Sequence, residues 1–567
     1  MPTFPLPEPP PAIAAPQRFF GIQVIDEATG RGVPLVTLRT TGEVVLVTDS
    51  AGRVAFEEPG MMDRPVWFSI ASHGYTIAPD GFGFRGVRLI PTAGGSAIVK
   101  ITRVNIAERL YRITGAGVYR DSLLLGATVP RREPLLAGAV VGQDTVQAAL
   151  YKGRLRWFWG DTNRPDYPLG NFHTSGATSD PTADPDRTID LEYLTDNDGF
   201  SRALLPIDAP GPVWISGLAT VDDGVSLICT YARMKDLGTC LERGLAVFDD
   251  AAQQFVRRAR FPESQPAPIS GHPFLAQAGG TRYLFGTREG IDPLPAVRVS
   301  PTVAALSDPA RYEAFTRTKT GGWGWVPGGA PSREPLALRA IETDTPVTAH
   351  VGSVSWNPYR RRWIMLVEER GGKPSLLGEI WFAEADTPVG PWVWARKIVT
   401  HDRYDFYNPT QHPFFDTDGG RRIYFEGTYV NTFSGNPEAT PRYNYNQILY
   451  RLDLADPRLV LPVPVYRVRG GGFATRATLG PHPDPLSVAF FALPPGPPTS
   501  DRVPVWSHRG RFVATAPNAG DEPLFAALPE TRRFVPGTIR LPGTNLRVWK
   551  TPRPDLPVDF SIVALGR

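Results

Sequence analysis

The chain has 567 residues, 60 Lys+Arg against 57 Asp+Glu and a net charge of +3, so it is too long for one hydrophobic core. No Lys/Arg block and no apolar run of about 20 residues stands out, which argues against nucleic acid and membrane as partners. With 56 Gly, 60 Pro, 11% aromatics and no long helical period, the composition points to an all-β, multidomain protein rich in turns.

Residues 1–18 open with Met1-Pro2-Thr3-Phe4-Pro5-Leu6-Pro7-Glu8-Pro9-Pro10-Pro11 and read as a disordered, Pro-rich lead-in. The stretch lacks the basic and apolar regions of a secretory leader, although the domain types that follow point to an extracellular or periplasmic setting. Residues 19–105 read as a separate unit of alternating strands. Gly21–Leu38 is strand, turn, strand, and Thr48-Asp49-Ser50-Ala51-Gly52-Arg53-Val54-Ala55-Phe56 adds a turn and a strand. This segment resembles the carboxypeptidase regulatory-like, transthyretin-type β-sandwich, and the resemblance implies an accessory spacer or docking module without catalytic residues.

Residues 106–460 carry one unit five times: an apolar strand, a tight turn and a second apolar strand. The second strands include Leu155–Asp161, Ser226–Tyr231, Arg282–Thr287, Arg362–Glu368 and Arg422–Glu426. Short strands recurring at tens of residues between Gly-rich turns predict a five-bladed β-propeller, with its chemistry at one end of a central channel. Cys229 and Cys240 fall across one hairpin, as a disulfide or as two free thiols.

Register in each unit follows from the turn, because residues equidistant from it lie opposite one another. Asp144 and Asp161 are equidistant from Lys152-Gly153 and should sit side by side. The same rule places His272 opposite Thr287, His350 opposite Glu368 and His412 opposite Glu426. Asp144, His272, His350 and His412 would then occupy equivalent places on four inner strands, with Tyr231 contributed by the second unit. A carboxylate such as Asp144, inside an apolar strand start, must be solvated, paired or working. Loops on the same face supply Asn163, Arg164, His173, Arg288, Tyr429 and Asn431, and a further loop supplies Trp323. Aromatic faces beside amide, hydroxyl and guanidinium groups suit a sugar cleft.

Residues 461–567 carry a different, threefold repeat. Phe473-Ala474-Thr475, Val513-Ala514-Thr515 and Trp549-Lys550-Thr551 recur, as do Phe490–Leu493, Phe525–Leu528 and Ile562–Leu565. A trefoil-like module is expected there. The fold class is thus a five-bladed propeller preceded by a small β-sandwich and followed by a three-repeat β module.

Glu379-Ile380-Trp381-Phe382-Ala383-Glu384-Ala385-Asp386-Thr387-Pro388-Val389-Gly390-Pro391-Trp392 resembles a blade segment of the five-bladed arabinanase/xylosidase glycosidases, glycoside hydrolase family 43 and its relatives. Trp159-Gly160-Asp161-Thr162 is similar to a first-blade segment of the related endo-arabinanases. The resemblance implies a hydrolase acting on a polysaccharide or oligosaccharide through an inverting carboxylate pair. By position Asp144 becomes the base and Asp161 its pKa modulator, while the acid is Glu426 or Glu368, with Glu289 a third choice. Histidines stand where those enzymes carry carboxylates. Two other readings follow: His272, His350 and His412 could hold a divalent metal for a polysaccharide lyase, with a histidine or Tyr231 as base, or the propeller could bind carbohydrate without turning it over.

Overall fold

The computed structural model describes residues 18–459 apart from 172, 237, 263–268, 279, 289–292, 318–322, 331–335, 344, 391 and 393, then residue 461 and the backbones of short strands beyond it. The Pro-rich lead-in lies outside the described residues except for Arg18. The chain is almost entirely β. It divides into two compact units: Met1–Val104 with Gly117–Leu135, and Asn105–Ala116 with Leu136–Arg567.

In the first unit two four-stranded sheets enclose one apolar core. One sheet runs Arg53–Phe56, Phe20–Asp26, Ser96–Arg103, Tyr75–Thr76; the other runs Val45–Val47, Thr37–Thr40, Val66–Ala71, Gly86–Leu89. Val66–Ala71 shows why: Val66, Phe68 and Ile70 turn inward, and the residues between them do not. Ile22, Val24, Leu38, Phe68 and Val99 fill the space between the sheets. The unit also takes in residues 117–135, which the sequence places with the propeller. Polar anchors tie that segment in: buried Asp121 accepts from the Ala55 amide at 3.1 Å, and Asp49 accepts from the Ser122 amide at 2.7 Å. Such long-range polar links leave no periodic trace in a sequence.

Five of the second unit's sheets follow one another in chain order, beside a small sheet of Gly142–Gln143, Thr162–Arg164 and Tyr167–Asn171. Sheet I is built from Gln147–Tyr151, Arg154–Trp159, Ser175–Ser179 and Glu192–Tyr193; its hairpin turns on Lys152 (φ 49°) and Gly153 (φ 75°), a two-residue turn matching strand twist. Sheet II contains Val213–Val221, Ser226–Asp236, Thr239–Asp249 and Gln254–Arg260. Sheet III contains Ser270–Ala278, Thr281–Thr287, Val297–Val299, Glu313–Arg317 and Trp323–Pro327. In sheet IV, Pro346–Asn357, Arg362–Glu369, Ile380–Ala385 and Trp394–Val399 are closed into a ring by Ala337–Ala340. Sheet V joins Asp405–Gln411, Arg422–Val430 and Asn446–Asp453 to Glu108–Arg112, so the start of the unit completes its last sheet.

First strands touch in succession: Gln147–Tyr151 meets Val213–Val221, which meets Ser270–Ala278, then Pro346–Asn357, then Asp405–Gln411. The cores lie between neighbouring sheets. One cluster joins sheets V and I (Trp157, Trp159, Tyr424, Leu449), and others join I to II, II to III and III to IV. Central strands are therefore covered on both faces; Arg362–Glu368 is buried throughout, which demands a nearly continuous apolar run.

Each first strand breaks register along its length. Breaks fall between Ser216 and Ala219, Ser270 and Phe274, Ala349 and Gly352, and Tyr407 and Thr410; in sheet I, residues 144–146 stand between two paired stretches. Four of the breaks hold a left-handed residue: Thr145 (φ 53°), Gly217 (φ 59°), Gly271 (φ 70°) and Asn408 (φ 54°). Such bulges re-aim the side chains beside them. They also correct the expected register. Thr287 faces Ser270, not His272, and Glu426 faces Thr410, not His412. The residues directly before the left-handed positions are Asp144, Ser216, Ser270 and Tyr407, so His272 and His412 are not the equivalents of Asp144, while His350 lies inside the break of its own strand.

Cys229 is buried, Cys240 is exposed, and both are free thiols: Cys229 pairs across the ladder with Ala246, and Cys240 with Met234. Beyond residue 461, Val463–Arg467, Phe473–Thr475, Val505–His508 and Arg511–Val513 form one sheet, and Ile539–Arg540, Leu546–Trp549 and Ile562–Leu565 another. Phe473–Thr475 and Ile562–Leu565 are strands here, Val513 and Trp549 each end one, and Ala514-Thr515, Lys550-Thr551, Phe490–Leu493 and Phe525–Leu528 lie outside the described residues.

Candidate active site

The five breaks hold half-buried polar residues: Asp144 and Thr145, Ser216, Ser270, His350, and Tyr407 and Asn408, with Tyr407 bonded to Asp144 and Ser216 to Ser270. Asp144 lies out of the ladder, where its Oδ1 accepts from the Asp161 amide at 3.1 Å and its Oδ2 accepts from the Tyr407 hydroxyl at 2.7 Å. The Tyr445 hydroxyl donates to it as well. A Cβ on residue 160 would come within 2.4 Å of Asp144 Oδ1, so only glycine lets the second strand pass so close. Asp161 in turn accepts from the Trp214 indole N–H at 2.8 Å.

Burial pushes the Asp144 carboxyl up to about 6, and the negative charge of Asp161 pushes the same way, against the donors Tyr407, Tyr445 and the Asp161 amide. Asp161 is also raised by burial, with the Trp214 hydrogen bond opposing. The side-by-side placement read from the sequence is present.

Glu368 is fully buried and lies one residue before the end of the second strand of sheet IV. Its Oε1 bonds His350 Nδ1, and its Oε2 accepts from the Asn408 amide at 3.0 Å. Burial raises its pKa to about 7 despite both partners, with the nearby Asp405 charge adding to the rise. Asn408 also reaches the other carboxyl's strand: its side-chain amide donates to Thr145 Oγ1 at 2.7 Å. Consecutive residues, Tyr407 and Asn408, therefore bind Asp144 and Glu368.

The second His–Glu pair is different. His412 Nε2 and Glu426 Oε1 are 2.6 Å apart and both residues are sealed from solvent, with the imidazole packed on Trp157 (5.1 Å) and Phe414 (5.1 Å). His272 Nε2 bonds Thr410 Oγ1 at 2.8 Å, and burial, then the proximity of His412, lowers its pKa to about 3. The three histidines are thus engaged separately, and among the described residues no group of three or more His, Cys, Asp or Glu is arranged to hold a metal ion. Those side chains do not fit the divalent metal expected of them.

Most of the expected sugar-binding residues have other work. The Tyr231 hydroxyl donates to Glu242 at 2.8 Å inside the core between sheets I and II, and burial raises its pKa, so the lyase reading loses this base. Tyr429 is buried and stacks on Tyr404 at 4.0 Å. Asn431 shapes its own loop by donating to the Asn436 carbonyl at 3.0 Å. Arg164 pairs with Asp166 at 2.7 Å and Asp198 at 3.3 Å and lies over the Phe200 ring. His173 Nδ1 accepts from the Val213 amide at 3.1 Å, and burial lowers its pKa. Asn163 holds the Val141 amide through its carbonyl at 2.8 Å. Arg288 is half-buried just past Thr281–Thr287, Trp323 starts the last strand of sheet III, and Glu289 lies outside the described residues.

Tyr407, Asn408, Tyr445 and Trp214 were missed. The first two sit on the first strand of sheet V, where taking His412 as its equivalent position hid them, and no local pattern in the sequence marks the bulge that holds them. The turn around Pro388-Val389-Gly390 is structural: buried Trp392 donates to the Pro388 carbonyl at 3.1 Å and Thr387 to the Gly390 carbonyl at 2.6 Å.

No family model and no curated protein matches the sequence. Solved structures that align with it include an exo-β-1,3-galactanase from Phanerochaete chrysosporium with galactose (10% identity, 62% of this chain, 69% of that chain, TM-score 0.33). Others are an exo-1,5-α-L-arabinanase from a bovine ruminal metagenomic library (10%, 60%, 99%, 0.31) and a GH43_1 enzyme from Xanthomonas citri complexed with xylotriose (12%, 61%, 94%, 0.30). Likenesses of this size assign no activity.

Proposed function

We propose that the second unit is a five-bladed β-propeller glycoside hydrolase that cleaves a polysaccharide or oligosaccharide by single displacement, with Asp144 as general base and Glu368 as general acid. The propeller reading is supported by five sheets whose first strands touch in succession and whose last sheet is completed by Glu108–Arg112. The observation that carries the function is the pairing at the bulges: two carboxyls, both raised, bound by consecutive residues. The first unit would serve as an accessory module.

In the reaction, the protonated Glu368 gives its proton to the glycosidic oxygen as the bond to the anomeric carbon breaks. Ionised Asp144 takes a proton from a water, whose oxygen forms the new bond from the opposite face. Asp161 keeps Asp144 basic through its charge, and Tyr407 and Tyr445 aim it. Glu368 ends as a carboxylate held by His350 and Asn408, and Asp144 ends protonated; solvent exchange restores both. The two states needed at the start coexist between about pH 6 and about pH 7.

The test is release of reducing ends from a panel of arabinan, xylan, galactan and related glycans, with proton NMR of the first-formed anomer. Turnover with inversion that disappears in Asp144→Asn is expected. Glycan binding without turnover on any polymer, or retention of configuration, contradicts the proposal.

A further inference from the structure

We infer that Asn408 is a positioning residue that sets the acid and the base at a fixed spacing by binding both of their strands at once. The inference rests on the pairing of Asp144 with Glu368 proposed above. Its geometry is local and unusual. Asn408 is a non-glycine residue in the left-handed region (φ 54°), inside the bulge between Tyr407 and Thr410. That conformation separates its two functions: the backbone N–H points to Glu368 Oε2 at 3.0 Å, and the side-chain amide points to Thr145 Oγ1 at 2.7 Å. Thr145 follows Asp144 and is itself left-handed (φ 53°), with its amide held by Thr428 Oγ1 at 3.0 Å. The preceding residue, Tyr407, donates to Asp144 Oδ2. One peptide unit thus links acid and base, and any slip of this bulge moves both.

Asparagine tolerates the left-handed region far better than alanine does, and glycine adopts it freely. Asn408→Gly should keep the backbone bond to Glu368 and lose only the link to Thr145. Asn408→Ala should turn the peptide away and lose both. The groups facing Glu368 are His350, Asp405 and the Asn408 amide; those facing Asp144 are Asp161, Tyr407 and Tyr445. An N–H donated to a carboxylate favours the ionised form, so removing the Asn408 amide moves the Glu368 titration to higher pH.

The experiment follows side-chain carboxyl carbons of the full chain by NMR across pH, with Glu368→Gln to assign the Glu368 signal, beside kcat on whichever glycan is turned over. The expected result is a Glu368 titration about one pH unit higher in Asn408→Ala and unchanged in Asn408→Gly, with kcat about tenfold lower in the glycine variant and KM unaltered. If Asn408→Ala does not fold, the glycine variant alone decides through its unchanged titration and lowered kcat. Equal shifts in both variants, or wild-type titration and kcat in both, overturn the inference. The titration is read without any substrate, so failure of the hydrolase reading leaves it measurable, and turnover with unaffected Asn408 variants defeats the inference alone.

Discussion

Two His–Glu pairs stand on neighbouring sheets, and their surroundings set them apart. His350–Glu368 lies where the first strands bulge, with the imidazole side chain 14% exposed. His412–Glu426 lies below the bulge of sheet V, 1% and 0% exposed, between Trp157, Phe414 and Phe415. Both carboxyls are sealed, at 0% exposed, so the difference lies in the imidazoles: His350 can be reached from outside, whereas His412 only holds sheets together. Position relative to the bulge, rather than residue type, decides which.

The sharpest way to break that distinction is to remove each acid in turn. Glu368→Gln should lower kcat on a glycan by about 10³-fold, and far less on an aryl glycoside whose leaving group needs no proton. Glu426→Gln should leave kcat within a few-fold of wild type but lower unfolding free energy by about 2 kcal/mol in a urea titration, because a buried pair loses its charge-assisted bond. A dead Glu426→Gln that folds normally would reverse the two assignments.

A smaller effect tests the base. Asp161→Asn removes the like charge beside Asp144, so the acidic limb of the kcat/KM profile should move about one unit to lower pH. An unmoved limb would detach Asp161 from Asp144.

The smallest effect concerns stability below the bulge of sheet V. Burial raises the Asp416 carboxyl from 3.8 to about 8, against donors from Gln411 and the Tyr424 backbone. Its folded pKa exceeds its unfolded one, so the stability it contributes is complete below about pH 4 and is lost as pH rises through 8. Asp416→Asn should flatten that decline and raise Tm at pH 8 by about 2–4 °C, with activity unchanged.

Much of this was legible in the chain. The five units, the Asp144–Asp161 neighbourhood and the His350–Glu368 bond all follow from turn positions and alternation, because local register propagates along a hairpin. The bulges were not legible. Gly217 and Gly271 are conventional left-handed residues, but Thr145 and Asn408 adopt that conformation through contacts across sheets that no local pattern encodes. A slip of two residues was enough to place His272 opposite Thr287, and taking the strand Arg422–Val430 to end before Tyr429 moved that buried ring from the core to a loop.

The most direct measurement is the pH dependence of kcat/KM on a turned-over glycan, in wild type and in Glu368→Gln. Wild type should give a bell that rises through about 6 as Asp144 ionises and falls through about 7 as Glu368 loses its proton. The residual activity of Glu368→Gln should keep the acidic limb and lose the alkaline one. An alkaline limb that persists in Glu368→Gln would contradict Glu368 as the acid.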